Sequence, residues 1–522
     1  MNGVSETLTG FWNKIKKEWK TAFTVTFLLG LLIHLPVFLG DFPNHDGLDS
    51  MYFDQNMITS GRWFLTVACG ISSYFSLPWL TGLLSLMYLG IAAAALCEFL
   101  HVRDTLRILL ISGLLVSFPA LCATYGYLFT ADGYMMALML VMLSLAVTDR
   151  YPKGFLAGGI LLAFSLGIYQ SYLAFAAFLA LTGILRILFA DPEEGYGSTG
   201  KDKLRNCLKY AAMGGIGLIF YYLMLRILLL VQGKVLASYQ GINGAENTGI
   251  SLMGRLKALY HDFAAFTLKG QVLGNGMLSY GLWILLLFAA GVLVFQKRLI
   301  KKPLRILWLL LYALLIPLCV NWILLVSPQV NYHLLMRYQW VLFPILLLWA
   351  ATRDNRKPEG FSENKKTDIP DRILQWCLFV AVAGLIFHYA VTDQIAYANL
   401  EKKYEKTYAY CLRLVDRMEQ TPGYTRDMPV AMIGVQSRET FPLTDVTGAV
   451  TDPMIGMNGD YLLYTGRNYQ AFCKHYLGVT FELVPEEAME EIYYSDEYQA
   501  MDSFPGPESV KVVNGILYIK TE

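Results

Sequence analysis

The sequence is poor in charged residues, and this scarcity excludes most soluble folds. Only 16% of its 522 residues are Asp, Glu, Lys or Arg, while 55% are hydrophobic. A soluble domain carries about 25% charged residues, so this balance indicates a membrane protein. The net charge is only +1, so no basic surface suggests a nucleic-acid partner.

Several common functional motifs are also missing. No spacing of His, Cys and Glu is typical of a dedicated metal site. No phosphate loop or G-x-G-x-x-G motif lies between a strand and a helix. We therefore expect no cofactor, although a metal ion bridging protein and substrate stays open. Cys411 and Cys473 lie outside the apolar segments, where they either pair or stay free thiols.

Long uncharged runs are what the chain has in abundance. A helix needs about 20 residues to cross a bilayer core, and about eleven segments meet this requirement. The first run is followed by no small-residue cleavage site, so we expect no cleavable signal peptide. The predicted spans lie near 21–40, 77–97, 108–128, 131–148, 154–168, 170–186, 208–231, 275–296, 303–326, 338–352 and 372–392.

Two of these spans come from one run, residues 154–185, which contains no charge. As a single helix it would be about 48 Å long, too long for a bilayer core of about 30 Å. Basic residues flank it on both sides, and basic loops stay in the cytoplasm. We therefore expect the chain to turn back near Gly167–Tyr172, with its non-helical backbone buried in protein or lining a wet cavity.

The distribution of basic residues predicts the orientation of the whole chain in the cell membrane. The N-terminus and the loops around 101–107, 150–153, 186–209, 296–305 and 353–372 are basic and are placed in the cytoplasm. The loops 41–76, 124–130, 232–274 and 327–337 are poor in Lys and Arg and are placed outside, together with the C-terminus.

Beyond residue 392 the composition becomes that of a soluble domain. Apolar residues at helical spacing predict an amphipathic helix over 395–419. Residues 429–435 and 478–484 are predicted strands, and 510–520 a hairpin with Asn514-Gly515 at its turn. We predict a membrane domain, 1–392, and an extracytoplasmic α/β domain, 393–522. The second domain either shapes an acceptor site or only caps the first.

Polar residues gather at the predicted outer face. Each has an ordinary explanation: Asn44, Asp46 and Gly47 suit a turn, Asp49 suits a helix cap, and Arg226 suits a contact with the membrane surface. Arg62-Trp63 suits an interfacial anchor, and Tyr169-Gln170 suits the needs of its own turn. The predicted outer-face residues are Asp41, His45, Asp46, Asp49, Asp54, Arg62, Trp63, Tyr125, Tyr127, Asp132, Tyr169, Gln170, Arg226, Asn331, His333 and Arg337.

Taken together, these residues favour chemistry on a lipid-linked sugar phosphate. A carboxylate beside a membrane cavity suits a general base acting on a hydroxyl. Arginines at the same depth suit a phosphate, which they bind in a bidentate manner. Aromatic and amide side chains suit a sugar. Since nucleotide sugars are absent outside the cell, an activated lipid is the reasonable donor.

Four short motifs in this order resemble a known family. After the first span come an outer loop with Asp46-Gly47, then S-G-R-W at Ser60–Trp63, L-G-I-Y-Q-S-Y at Leu166–Tyr172 and L-M-R-Y at Leu335–Tyr338. Over residues 20 to 440 the chain resembles the bacterial O-antigen-type glucosyltransferases, the Gtr type II group of polytopic membrane proteins. The resemblance implies a mainly α GT-C fold and a polyprenyl-phosphate-sugar donor, usually carrying glucose. It also implies a surface polysaccharide or a teichoic-acid-like glycan as acceptor.

Matched to these motifs, the residues take expected roles. The resemblance implies that Asp46 is the catalytic base. It points to Arg62 and Trp63 through G-R-W, to Tyr169 and Gln170 through Y-Q, and to Arg337 through M-R-Y. We predict that Arg337, Arg62 and Arg226 bind the donor phosphate. The predicted sugar and acceptor contacts are Tyr169, Gln170, Trp63, Asp49 and His45; His45 is not part of the family pattern.

Two other functions fit parts of the sequence. A flippase for lipid-linked oligosaccharides would also place arginines and aromatic residues in the membrane. It would need a polar path across the whole bilayer, whereas the polar residues here gather on one side. A ligase or polymerase of the O-antigen type would share the topology but would need an extended outer loop, for which 232–274 is the only candidate.

Overall fold

The computed structural model describes residues 2–50, 56–70, 77–190, 199–237, 249–269, 276–296, 303–352, 369–432, 454, 457 and 463–521. Most of these residues are helical. The helices up to residue 420 are α1 Asn2–Lys14, α2 Lys17–Leu39, α3 His45–Ser50, α4 Leu65–Ala68, α5 Pro78–Phe99, α6 Thr105–Ser117, α7 Pro119–Tyr125, α8 Ala131–Arg150, α9 Gly154–Ile168, α10 Leu173–Phe189, α11 Gly200–Gln232, α12 Leu252–Lys269, α13 Met277–Gln296, α14 Pro303–Val320, α15 Ile323–Val326, α16 Leu342–Thr352 and α17 Ile369–Gln420. Short 3₁₀ helices cover Ile58–Ser60, Leu128–Thr130, Gln170–Tyr172 and Leu334–Val341.

The described helices make this a membrane protein that crosses the bilayer many times. Nine of them are long and apolar enough to span it, or ten if α6 and α7, which meet at 46°, form one bent span. Pro119 begins α7, and proline both lacks an N–H and disfavours helical backbone in the residue before it, which explains the bend. The remaining predicted span, α9, is a helix of only 15 residues. The number eleven stays a prediction.

The uncharged run 154–185 is broken where the sequence predicted. α9 ends at Ile168, and Tyr169 is extended, with φ −151° and ψ 108°. Arg186, near the end of α10, binds Asp149, near the end of α8, with 2.5 Å between Nη2 and Oδ1. Since α9 begins just after α8, this ion pair confirms that the chain turns back. The break is buried, because Tyr169 is only 3% exposed.

The basic residues at the other end of the helices converge on one carboxylate. Glu98, near the end of α5, accepts hydrogen bonds from Lys16, Trp19, Arg103 and Arg150 at 2.7, 2.8, 2.7 and 3.2 Å. These donors belong to the start of α2, the segment before α6 and the end of α8. Basic residues that the sequence assigned to one side of the membrane therefore lie at one end of the bundle.

α17 joins the membrane part to the C-terminal tail without interruption. It has 52 residues, and its buried face includes Leu385 and Tyr389 in the first half and Leu414 and Met418 in the second. The predicted span 372–392 and the predicted amphipathic helix 395–419 are thus parts of one helix. The division into domains at 392/393 stays a prediction.

The tail contains a small sheet with helices around it. Its helices are α18 Gly466–Phe472, α19 Glu486–Tyr493 and α20 Asp496–Gln499, and its strands are β1 Val430–Met432, β2 Val510–Val513 and β3 Ile516–Ile519. The strand order is β1-β3-β2, with β1 parallel and β2 antiparallel to β3. The hairpin is confirmed: Asn514 and Gly515 have φ values of 50° and 78°, as a type I′ turn requires. Cys411 and Cys473 are buried free thiols in this part.

Two expectations about secondary structure need correction. The stretch 478–484, predicted as a strand, makes only one bridge, from Leu483 to Val430. Its first residue, Gly478, has φ 69°, and Pro485 follows its last residue, so few residues remain for pairing. The loop 232–274 contains the 18-residue helix α12. Of the predicted strand 429–435, residues 433–435 lie outside the described part of the chain.

Candidate active site

The first loop that the sequence places outside folds into the short helix α3. Asn44 begins it, since its Oδ1 accepts a hydrogen bond from Gly47 N at 2.7 Å. The Asn44 side chain also donates to the carbonyl oxygen of Gly126, which fixes the loop on the end of α7. Asp46 is left with 55% of its side chain exposed. Asp49 lies inside α3 rather than before it, and its side chain and the whole of Asp54 lie outside the described part.

Asp46 lies beside one histidine, His45, and within electrostatic reach of another, His333. Its Oδ1 is 3.4 Å from Nε2 of His45. Burial lowers the pKa of His333 from its usual 6.5 and the positive charge of Arg337 lowers it further, while the carboxylate of Asp46 opposes both. Asp46 and Arg337 are therefore each within electrostatic reach of His333, although Asp46 is almost 300 residues away from the other two in sequence.

Arg337 is buried, with 8% of its side chain exposed, and forms a bidentate ion pair with Asp262 of α12. Its Nη1 and Nη2 donate to the two carboxylate oxygens at 2.8 and 2.9 Å, and its Nε donates to Tyr332 O at 3.1 Å. Its guanidinium also lies 3.8 Å from the centre of the Tyr332 ring. Among the described residues, these bonds use three of the five N–H donors of the guanidinium, which leaves two for another ligand.

Asp262 was not among the residues that the sequence singled out. A signal for it exists, because it is the only acidic residue between Glu246 and Asp354. A solitary carboxylate in so apolar a region is expected to pair with an arginine. Asn321 also donates to its Oδ2, at 2.8 Å.

A cavity of about 410 Å³ opens beside the break between α9 and α10. Arg62, Tyr169 and Gln170 contribute polar groups to its wall. The rest of the wall is largely apolar and comes from α11, α15 and their neighbours, including Leu218, Tyr222, Leu225, Trp322, Ile323 and Val326. An apolar cavity with a few convergent polar groups is the usual form of a small-molecule site.

Arg62 and two tyrosines form the most polar part of this wall. Arg62 Nη1 donates to Tyr134 Oη at 3.2 Å, and its guanidinium lies 5.2 Å from the centre of the Tyr169 ring. The rings of Tyr134 and Tyr169 are stacked, with centroids 4.3 Å apart and 13° between their planes. Tyr134 was not predicted as a site residue. The stack fixes a permanent positive charge at the edge of an apolar space.

Gln170 holds the cavity wall together. Its Nε2 donates to Ser60 O at 2.9 Å and to Tyr221 Oη at 3.1 Å, and Tyr221 Oη donates to Gly61 O at 3.1 Å. Both amide hydrogens of Gln170 are thus used within the protein. If Gln170 contacts a sugar as the sequence predicts, it does so through its side-chain carbonyl oxygen.

Trp63 and Arg226, the two other predicted site residues near this region, differ in burial. Trp63 packs on Phe64 and Phe164, at centroid distances of 5.7 and 5.5 Å. Its Nε1 is buried and has no hydrogen-bond partner among the described residues. Arg226 is exposed on α11, with its guanidinium 5.7 Å from the centre of the Tyr222 ring, and is not part of the cavity wall.

One segment connects the Asp46 group with the cavity. Val330 and Met336 line the cavity, and between them His333 lies in the electrostatic surroundings of Asp46. The structure therefore places His45 beside Asp46, and both Asp46 and Arg337 within electrostatic reach of His333. Arg62, Tyr169 and Gln170 line the cavity, and Trp63 packs against Gly167 next to them. In the described residues, no three side chains of His, Cys, Asp or Glu are close enough to hold a metal ion.

The C-terminal tail also contacts the loop that carries α3, and the sequence did not predict this contact. Leu48 of α3 is 3% exposed and belongs to the hydrophobic core of the tail, with Tyr410 and Leu414 of α17. Tyr476 Oη donates to Asp41 Oδ2 at 3.0 Å. The loop that carries Asp46 thus lies between the membrane helices and the tail.

The many apolar helices, with a largely apolar cavity that carries a few convergent polar groups, define a membrane protein with a candidate small-molecule site. The sequence model of the family described as Glucosyl transferase GtrII matches residues 35–345, more than half of the 522 residues. The chain belongs to this family, which confirms the resemblance, and it is a glucosyltransferase in the general sense. No curated protein and no solved structure matches the chain.

Proposed function

We propose that the protein transfers glucose from a polyprenyl-phosphate-glucose donor to a surface polysaccharide or a teichoic-acid-like glycan. The observation that carries this proposal is the cavity of about 410 Å³, in which Arg62 borders an apolar space. An isoprenoid chain suits the apolar wall, and its phosphate suits the guanidinium. Family membership supports the sugar and the type of reaction.

The proposed reaction is a single displacement with Asp46 as general base. The carboxylate takes the proton of an acceptor hydroxyl while that oxygen attacks the anomeric carbon. The bond between the anomeric carbon and the phosphate oxygen breaks, and the polyprenyl phosphate leaves with the electron pair. This displacement inverts the anomeric centre. The exposure of Asp46, 55% of its side chain, supports access for an acceptor from the solvent.

The three predicted phosphate ligands have different parts in this proposal. Arg62 is the principal one because it lies in the cavity wall. Arg337 offers only its two remaining N–H donors, and Asp262 already balances its charge. Arg226 is exposed next to Tyr222, a cavity residue, and would meet the phosphate only at the cavity entrance.

The sugar is proposed to lie between the two groups of residues. Tyr169 and the carbonyl oxygen of Gln170 would contact it from the cavity side, with Trp63 behind them. His45 and Asp49 would contact the acceptor from the loop side. This arrangement requires α3 to face the outside of the cell and the residues around Glu98 to lie at the cytoplasmic surface. The basic side chains around Glu98 support this orientation, because basic residues favour the cytoplasmic side.

The test uses purified protein in liposomes with radiolabelled polyprenyl-phosphate-glucose and cell-surface glycan. We expect label to enter the glycan, and Arg62→Gln to reduce this transfer by about 100-fold, as for the loss of a group that stabilises a leaving phosphate. Arg226→Gln, a matched control on the exposed face, should reduce it by less than about ten-fold. Label that only moves between leaflets would contradict the proposal and favour a transporter.

A further inference from the structure

The tail contacts the catalytic loop at the residue next to Asp46. Asn468 of α18 donates from Nδ2 to the carbonyl oxygen of His45 at 3.3 Å. The ring of Tyr464 meets the His45 ring edge-on, with centroids 4.6 Å apart and 66° between the planes. His45 in turn lies 3.4 Å from Asp46, measured from Nε2 to Oδ1. Both the backbone and the ring of His45 are therefore held from the tail.

Asn468 is itself held firmly in place. Its Oδ1 accepts from Tyr464 N at 3.0 Å and from Thr465 N at 3.3 Å. Its own N–H donates to Thr465 Oγ1 at 3.3 Å, which completes a capping box at the start of α18. Its side chain is almost fully buried, with 1% of the residue exposed. One amide thus caps α18 with its oxygen and binds the catalytic loop with its nitrogen.

The same loop is fixed to the tail on both sides of this contact. Asp41 accepts the hydrogen bond of Tyr476 at 3.0 Å, and Leu48 is buried in the tail core. On the opposite side, Asn44 binds the end of α7. A buried leucine and hydrogen bonds in several directions leave α3 little freedom to tilt.

We infer that the tail completes the active site, with Asn468 and Tyr464 as positioning residues that fix His45 and, through it, the carboxylate of Asp46. This inference rests on the proposed role of Asp46 as the base. A general base acts only within hydrogen-bond reach of the proton that it removes, and an error of about 1 Å costs up to about 100-fold in rate. Neither residue touches the donor cavity, so donor binding is independent of them.

The test compares two replacements of an amide by an acid on the same helix. Asn468→Asp keeps the oxygen that caps α18 and removes the donor to His45. Gln470→Glu removes a similar donor, which binds Phe481 O at 2.6 Å within the tail and does not contact the loop. For Asn468→Asp we expect kcat to fall by about ten-fold or more, with the KM for donor unchanged within about two-fold. Gln470→Glu should keep the wild-type kcat.

A second pair of variants keeps the inference testable if Asn468→Asp does not fold. Tyr464→Phe retains the ring that meets His45 and should retain kcat, whereas Tyr464→Ala should lower it. Equal kcat values for Asn468→Asp and Gln470→Glu, or for Tyr464→Phe and Tyr464→Ala, would overturn the positioning role. If Asp46→Asn is inactive in that case, the proposed function stands alone; if Asp46→Asn is fully active, the proposed function itself fails.

Discussion

At the scale of single residues, the two arginines near the site differ in what already surrounds them. Arg337 is buried with a bidentate carboxylate partner, Asp262. Arg62 lies on stacked tyrosine rings in the wall of the cavity. A buried arginine whose carboxylate partner is removed leaves an uncompensated charge, whereas the flat face of a guanidinium that lies on aromatic rings leaves its N–H edge directed away from those rings.

The pairing of Arg337 predicts a stability effect. Asp262→Asn should lower the free energy of unfolding by about 3 kcal/mol, because it leaves a buried guanidinium without its counter-charge. Denaturant unfolding in detergent measures it. The matched control is Glu486→Gln, which removes the exposed partner of Arg467 and should cost less than about 1 kcal/mol. Equal losses for the two variants would contradict the structural role of Arg337.

The electrostatic group around Asp46 predicts shifts in a histidine titration. The pKa of His333 lies below 6.5, so this ring is neutral at pH 7. Its protonation as the pH falls costs folding stability, because the unfolded chain binds the proton more readily. Asp46→Asn should lower the pKa of His333 further, and Arg337→Gln should raise it, as each removes one opposing charge.

NMR of isotope-labelled histidine rings in detergent measures these shifts. His475 is the internal control, because burial and Lys474 lower its pKa while Asp41, not Asp46, opposes them. Its pKa should not change in either variant. A His333 pKa unaffected by Asp46→Asn would show that the two groups are not neighbours.

At the scale of elements, the break between α9 and α10 and the loop before α4 support one another. Gly61 has φ 80°, and a Cβ there would lie 2.6 Å from both Gln170 Nε2 and Tyr221 Oη. Phe64 N donates to Gly167 O at 2.7 Å. The S-G-R-W and Y-Q motifs are therefore parts of one structural unit at the edge of the cavity.

Gly61→Ala should disturb this unit. Alanine is strained in the left-handed backbone conformation of this position, and its methyl group would clash with Gln170. We therefore expect a loss of stability of about 2 kcal/mol or more and a clear fall in donor binding. Gly233→Ala is the matched control: its φ is 61°, but no atom of the described residues lies within 4 Å of the added methyl. It should cost only about 1 kcal/mol and leave donor binding intact. Calorimetry and donor titration measure both effects.

Some structural elements could be predicted from the sequence and others could not, and particular residues explain the difference. The turn near Gly167–Tyr172 was predictable because length and flanking charge left no alternative, and the hairpin because Asn-Gly favours positive φ. The helix α12 was missed because the segment 232–274 has mixed polarity and was predicted only as a loop. The prediction of a strand at 478–484 was wrong, because a local sequence pattern does not show how many residues pair with a neighbouring strand.

At the scale of the whole molecule, local sequence patterns could not predict the contact between the tail and the loop that carries Asp46. His45 and Asn468 are 423 residues apart. The sequence of neither segment predicts a contact with the other. The sequence therefore left open whether the tail shapes the site. The grouping of His333 and Arg337 with Asp46 depends on the packing of many helices and was predicted only as a common face of the membrane.

The proposed orientation predicts which surface positions meet a reagent outside the cell. Tyr494→Cys, on a tail residue that is 73% exposed, should react with a membrane-impermeant thiol reagent on intact cells. Lys201→Cys, at the exposed start of α11, should react only after the cells are opened. The described native cysteines are buried or half-buried, so their background labelling should be low. The reverse labelling pattern would place the catalytic loop in the cytoplasm.

The most direct test of the central claim is the rate of glucose transfer by Asp46→Asn enzyme in liposomes, with the labelled donor and surface glycan. Loss of a general base should lower kcat by about 100-fold or more, with an unchanged unfolding profile. Asp427→Asn, at an exposed position of the tail, should transfer at the wild-type rate. Transfer by Asp46→Asn at the wild-type rate would contradict the assignment of Asp46 as the base.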